Sequence, residues 1–324
     1  MIINSHVHLN TNNNFFFYND YTLGSFLGEM ALSKIDVAFP CINPKVELYR
    51  CPNDCSIHCK KTASFKDLAY SSSINSNLQY CPCSSPNRHR VVLVSRENDA
   101  ILKCRTCGKT IFKGSIDPLR QYNLELIYIT RPYRSILKPI LYISLCKSTI
   151  QNEIDYFEKN YPNDFIGFKF HPWNDQVNVK DFHIRSNHTI LIHCGSRIIE
   201  HSSNSIIFAK QNPNVKIIIS HAAALCDESL RQISFMDNIF IDCCPSTFLF
   251  KTKKQSLENY KEIHSPEDIY YKVLDFVPSN KILFGSDSPW GNSINELKVV
   301  NNLKVSKRVK EQILFMNAIR AYEL

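Results

Sequence analysis

Short apolar runs, each fenced by polar or turn residues, recur along the chain. They fall at residues 2–8, 35–41, 139–145, 165–171, 189–194, 215–221, 238–243 and 281–287. Runs of this kind suit strands buried on both faces. Segments of helical character lie at 21–34, 117–130, 149–160 and 306–323. Strand and helix in alternation predict βα units feeding a parallel sheet. Eight such units in series make a closed (β/α)8 barrel the natural outcome.

The spacing divides the chain. Strand ends at residues 171, 193, 221 and 243 fall 22, 28 and 22 residues apart, but the step from 41 to 145 is 104 residues. Removing residues 43–113 restores a plausible interval and leaves roughly 250 residues, a usual barrel size. The expected organisation is therefore a barrel of residues 1–42 and 114–324, with 43–113 inserted after the second strand. That insertion would sit on the C-terminal face, where barrel active sites lie.

Composition narrows the class. With 324 residues and 44% hydrophobic content the chain can bury a large core. A net charge of +8 tolerates anionic substrates or nucleic acid without selecting either. The Lys- and Arg-rich stretches 251–254 and 304–310 read as solvated helix faces or loops. No signal-peptide pattern opens the chain, and no run of about 18 apolar residues could span a membrane. A soluble cytoplasmic protein is expected. Thirteen cysteines there argue for metal ligation over disulfides.

Seven of those cysteines lie in the insertion. Cys81-Pro-Cys83 and Cys104-Arg-Thr-Cys107-Gly108 flank a β-like stretch at 90–102, the pattern of a zinc ribbon holding one structural zinc. Cys51, Cys55 and Cys59 recur every four residues. His58, His89 or Cys41 would complete a second zinc site; otherwise these are loose thiols. An iron–sulfur site fits less well, since no radical-type cofactor motif accompanies the spacing. Zinc would supply the folding energy of a module without its own core. Over the barrel mouth it would serve as a lid, a recognition element or a protein-docking surface. Its basic residues, Lys60, Lys61, Arg88, Arg90, Lys103, Arg105 and Lys109, permit nucleic-acid phosphate contacts.

The candidate chemistry sits at strand ends. His6 and His8, two apart on the first strand, leave the same face and suit a borderline divalent metal. Lys169 and His171 end the fourth strand, His193 the fifth, His221 the sixth and Asp287 the eighth. Burying each without a partner would cost several kcal/mol; a metal at the barrel mouth accounts for them together. Lys169 is alternatively a point-charge partner for a carboxylate or substrate anion. His171, before Pro172-Trp173, reads as a wall or substrate contact, because Lys169 takes its strand's ligand position. Trp173 and Trp290 read as pocket walls or plain core, and Asp242 and Cys243 as structural.

These pieces resemble the amidohydrolase superfamily, closest to its amidohydrolase-related, decarboxylase-like branch. The matching motifs are Ile-Asn-Ser-His6-Val-His8, Gly-Phe-Lys169-Phe-His171-Pro, Leu-Ile-His193-Cys-Gly, Ile-Ile-Ser-His221-Ala and Leu-Phe-Gly-Ser-Asp287-Ser-Pro, with Asn317-Ala318-Ile-Arg-Ala-Tyr-Glu-Leu like its closing helix. The resemblance covers nearly all of the chain outside 43–113. It implies that His6, His8, His193 and Asp287 hold one divalent ion, zinc first. Asp287 would take the proton from the activated water. His221 would polarise the substrate or ligate a second ion. Lys169 matches a position that some members carbamylate to bridge two ions. The expected activity is a metal-dependent hydrolase attacking an amide, ester or lactone carbonyl of a small molecule, and the resemblance implies a dimer, common in that family. The alternatives are a TatD-like phosphodiesterase or nuclease, whose strand-four Glu is absent here, and a mononuclear non-hydrolytic decarboxylase. A non-enzymatic scaffold binding a partner through the ribbon fits the ligand set worst.

Overall fold

The computed structural model describes residues 1–9, 22–42, 91–96, 99–104, 110–114, 118–145, 150–175, 177–255 and 263–324. Its strands, in chain order, are β1 (Ile3–His8), β2 (Val37–Cys41), β3 (Val91–Arg96), β4 (Asp99–Cys104), β5 (Thr110–Gly114), β6 (Ile140–Tyr142), β7 (Gly167–Phe170), β8 (Thr189–Ile192), β9 (Ile217–Ile219), β10 (Ile239–Asp242) and β11 (Ile282–Leu283). Eight of these form one parallel sheet in the order β1-β2-β6-β7-β8-β9-β10-β11. Each lies inside one of the apolar runs. Ser5 N–H donates to Phe284 C=O at 3.0 Å, and Ser286 N–H donates to His6 C=O at 3.0 Å. These bonds bring β11 back to β1, so the sheet curls into a (β/α)8 barrel. Between β2 and β6 in the chain, β3, β4 and β5 form a separate antiparallel sheet.

Side chains sort by strand parity. Ile3, Phe39, Ile140, Leu191, Ile218, Phe240 and Leu283 cluster with Ala318, Ala321 and Tyr322 of the closing helix. The alternate positions, among them Val7, Ala38, Phe168, Ile190, Ile217, Ile239 and Ile282, join the larger cluster with the helices. Strict alternation from Ile3 would send His6 and His8 outward with that second set. A register shift between Asn4 and Val7 against β2 resets the parity. The bulge therefore turns both histidines inward and Val7 outward.

The segment 306–323 is helical as expected but not uniform. Lys307–Glu311 and Asn317–Tyr322 are α-helical, and Gln312–Met316 is a π-turn. Phe284 N–H, just past β11, donates to Ile313 C=O at 2.9 Å, so that carbonyl serves the barrel as well as the helix.

Glu296 fastens the region after β10. Fully buried, it accepts from Ser246 N (2.8 Å), Ser246 Oγ (2.5 Å), Thr247 N (3.0 Å) and the Thr247 hydroxyl. A carboxylate at the start of the helix Ser246–Gln255 also meets its positive dipole end. Glu296→Ala strands these buried donors and should lower unfolding free energy by about 3 kcal/mol in urea titration. An unchanged midpoint would contradict this account.

Candidate metal centre

His6 and His8 rise from β1 into the barrel mouth. His6 Nδ1 stands 3.1 Å from Asp242 Oδ2 at the end of β10. A carboxylate on Nδ1 holds the proton there and leaves the lone pair on Nε2. That Nε2 faces Asp287 Oδ1 at 3.4 Å and Lys169 Nζ at 2.9 Å. His8 Nε2 faces the same Asp287 Oδ1 at 3.1 Å, and Trp290 stands edge-on to its ring at 4.9 Å.

A second group adjoins the first. His221 Nδ1–H donates to Cys244 C=O at 2.6 Å, so His221 Nε2 bears the lone pair. It stands 3.0 Å from His193 Nδ1. The His193 ring lies flat on His171, centroids 3.8 Å apart. Its far nitrogen, Nε2, is 3.4 Å from Glu200 Oε2.

Backbone conformation aims two of these groups. Asp287 has φ 51°, and His221 to Leu225 all have positive φ, a left-handed turn without glycine. Such residues cost about 1–2 kcal/mol each. Asp287 is tied by its N–H to His6 C=O at 2.8 Å, and His221 by its N–H to Asp242 Oδ1 at 3.0 Å. Asn4 braces the same corner, its Oδ1 accepting Ser286 N–H at 3.0 Å and its amide reaching Ser286 Oγ at 2.8 Å. Gly285 is required there, since a Cβ would lie 2.9 Å from the His6 Cβ and 2.8 Å from Cys244 Sγ.

The donor set suits a divalent cation. Donors around an ion at about 2.0–2.2 Å stand roughly 3–3.5 Å apart, the range found between Asp287 Oδ1 and both imidazoles and between His193 and His221. Burial holds His6, His8, His171 and His193 well below the usual imidazole range, and brings His221 down to about 4. Neutral imidazoles are ligand-ready. Burial also pushes the Asp287 carboxyl up to about 6, a cost that an adjacent cation relieves. Cys244 Sγ (3.3 Å from His6 Nδ1) and Cys41 Sγ (3.3 Å from His8 Nδ1) lie close enough to group with the histidines. Burial raises Cys41 to about 12 and Cys244 well above the ordinary thiol value, so both stay neutral.

The structure thus brings His6, His8, Lys169, His171, His193, His221, Asp287 and Trp290 together. Trp173 instead lies under the Arg197 guanidinium, 3.6 Å from its ring centre. Cys51, Cys55, Cys59, Cys81, Cys83 and Cys107 fall outside the described residues. Cys104 ends β4, and its side chain is likewise outside them. Asp242, expected to be merely structural, contacts His6 directly; its place at a strand end was the available signal. Glu200 ends the short 3-10 turn Ile198–Glu200, outside every apolar run, and had none.

Residues 199–324 match the amidohydrolase family model. No curated protein sequence matches the chain. Among solved structures it is similar to 5-carboxyvanillate decarboxylase from Sphingomonas paucimobilis, at TM-score 0.60 and 9% identity over 100% of this chain and 99% of that one. It is also similar to dihydroxybenzoic acid decarboxylase from Polaromonas sp. JS666 with bound manganese, at TM-score 0.59 and 10% identity over 100% and 97%. A third is a 2-pyrone-4,6-dicarboxylic acid hydrolase, described as probable, from Acinetobacter baumannii, at TM-score 0.52 and 11% identity over 100% and 99%. These likenesses show the fold. Among the described residues no helix is long and apolar enough to cross a membrane.

The lowered histidines fix a pH dependence for metal-free protein. Below about 6.5 the unfolded chain takes up protons that the folded imidazoles refuse, so stability falls as pH drops towards about 4. Asp287 opposes this, because its raised carboxyl binds a proton before the unfolded one does. Urea titrations at pH 7 and pH 5 should show lower stability at pH 5, and a larger loss in Asp287→Ala. Equal stability at both pH values would contradict the burial of neutral imidazoles.

Proposed function

We propose that the protein is a metal-dependent enzyme of the amidohydrolase superfamily, acting as a decarboxylase on a small unsaturated carboxylic acid. The observation that carries the metal reading is the convergence of Asp287 Oδ1 on the Nε2 atoms of His6 and His8. His193 would complete the ligand set beside them. A divalent ion there would supply Lewis acidity to a substrate oxygen and offset negative charge. Asp287, whose carboxyl burial pushes up to about 6, would hand a proton to the carbon whose bond to the carboxylate breaks, and His221 would face the same ion or substrate through Nε2. His171 and Trp290 wall the mouth.

Hydrolysis of an amide, ester or lactone, the leading expectation from sequence, becomes the second reading. The match over residues 199–324 and the decarboxylases of like fold support the superfamily and favour the non-hydrolytic chemistry within it. Lys169 supports the same choice. Its Nζ stands 2.9 Å from His6 Nε2, and without carbamylation it supplies no bridge between two ions. Carbamylation would convert it to a bridging carboxylate and favour a binuclear hydrolase. Residues 43–113 are proposed as a zinc-stabilised insertion above the mouth, bordering the small-molecule site.

Asp287→Ala should remove one equivalent of divalent metal and abolish carbon dioxide release from a panel of hydroxybenzoates, read by metal analysis and headspace assay. Loss of two equivalents, with loading dependent on bicarbonate and with ester or lactone cleavage, would establish the hydrolase instead. Metal content unchanged by Asp287→Ala would overturn both readings.

A further inference from the structure

Glu200 is a buried carboxylate outside the ligand set. It is 5% exposed, and among the described residues no hydrogen bond reaches its Oε2. A buried, unpaired carboxylate oxygen is costly and calls for an explanation. That oxygen stands 3.4 Å from His193 Nε2, the ring nitrogen opposite the one that meets His221. The loop is shaped to put it there. Gly195 N–H donates to Glu200 C=O at 3.0 Å, folding the chain back on itself. A Cβ at Gly195 would fall 2.3 Å from Glu200 Oε1, so only glycine leaves room for the carboxylate. Arg197 Nη1, 3.9 Å from Oε1, holds the other oxygen loosely from the rim.

Three of the other mouth imidazoles, His6, His8 and His221, share one arrangement. His6 Nδ1 is backed by Asp242, His221 Nδ1 by Cys244 C=O, and His8 by a backbone hydrogen bond to Ile42. In each the backing acceptor fixes which nitrogen keeps its lone pair. His193 has His171 stacked on its face, and among the described residues Glu200 offers the acceptor at its far nitrogen. We propose that Glu200 is the positioning residue of His193. It draws the proton to Nε2 and turns an Nδ1 lone pair towards His221 Nε2, 3.0 Å away. Two lone pairs at that separation repel unless a cation lies between them, so Glu200 prepares this side of the mouth for one. A small rotation of the carboxylate brings the 3.4 Å approach into hydrogen-bond geometry, as happens when sites close on their ligands. The inference rests on the metal reading above.

The test uses the full-length protein, with Mn²⁺ affinity measured by chelator competition and Zn²⁺-loaded protein examined by side-chain ¹H–¹⁵N NMR. Glu200→Ala should weaken Mn²⁺ binding about 10–100-fold, and Glu200→Gln, which keeps an acceptor oxygen, should recover most of the loss. Wild-type Zn²⁺ protein should show His193 protonated at Nε2, and Glu200→Ala should lose that protected signal. A purely structural role would leave the tautomer unchanged. Folding of each variant is checked by its thermal transition, and Glu200→Gln carries the test if Glu200→Ala does not fold. In that case a wild-type tautomer with Mn²⁺ binding weakened by less than about tenfold supports the inference, and a tautomer switched to Nδ1 overturns it. Wild-type affinity in Glu200→Ala, with Asp287→Ala devoid of metal, overturns the role of Glu200 alone. Wild-type affinity in both variants overturns the metal reading as well.

Discussion

Asp242 is fully buried at the end of β10, where an isolated carboxylate would be untenable. It is tenable because four groups point at it. His6 Nδ1, the His221 N–H, the Cys244 N–H and the Cys244 thiol all lie within 3.0–3.2 Å of its oxygens. Those groups come from three places in the barrel: β1, the turn after β9 and the segment after β10. One carboxylate therefore fixes the tautomer of His6, anchors the left-handed turn that aims His221, and joins strands far apart in sequence. The mouth geometry depends on it.

The rest of the site follows from how a barrel handles polar strand ends. The interior is packed by Phe39, Ile140, Leu191, Ile218, Phe240 and Leu283, with Tyr322 among them from the closing helix. Above that layer the inward positions become His, Lys and Asp. Burial there keeps the imidazoles neutral and makes Asp287 resist ionisation. Both effects disfavour the site without a cation and favour it with one. The backing acceptors decide which nitrogen faces the mouth.

Much of this was legible in the sequence. All eight barrel strands lay within short apolar runs, since strands covered on both faces need continuous hydrophobicity. The ligand candidates were visible as polar residues ending such runs. What escaped notice depends on three-dimensional detail. The bulge between Asn4 and Val7, which sets the facing of His6 and His8, leaves no mark in an apolar pattern. Asp242 ends its apolar run as the ligand candidates do, yet it reads, with Cys243, as structural. Glu200 reaches His193 only through a loop closed by Gly195, a contact no periodicity encodes. The preference between hydrolysis and decarboxylation was also hidden, since both chemistries use the same strand-end residues and differ in what surrounds them.

The central claim is a divalent ion at the barrel mouth between β1 and the loop after β11. Anomalous diffraction at the manganese edge, on crystals of the full chain grown with Mn²⁺, locates it directly. The account predicts a peak about 2.0–2.3 Å from the Nε2 atoms of His6 and His8 and from an Asp287 carboxylate oxygen. A map with no peak between these three side chains would contradict it.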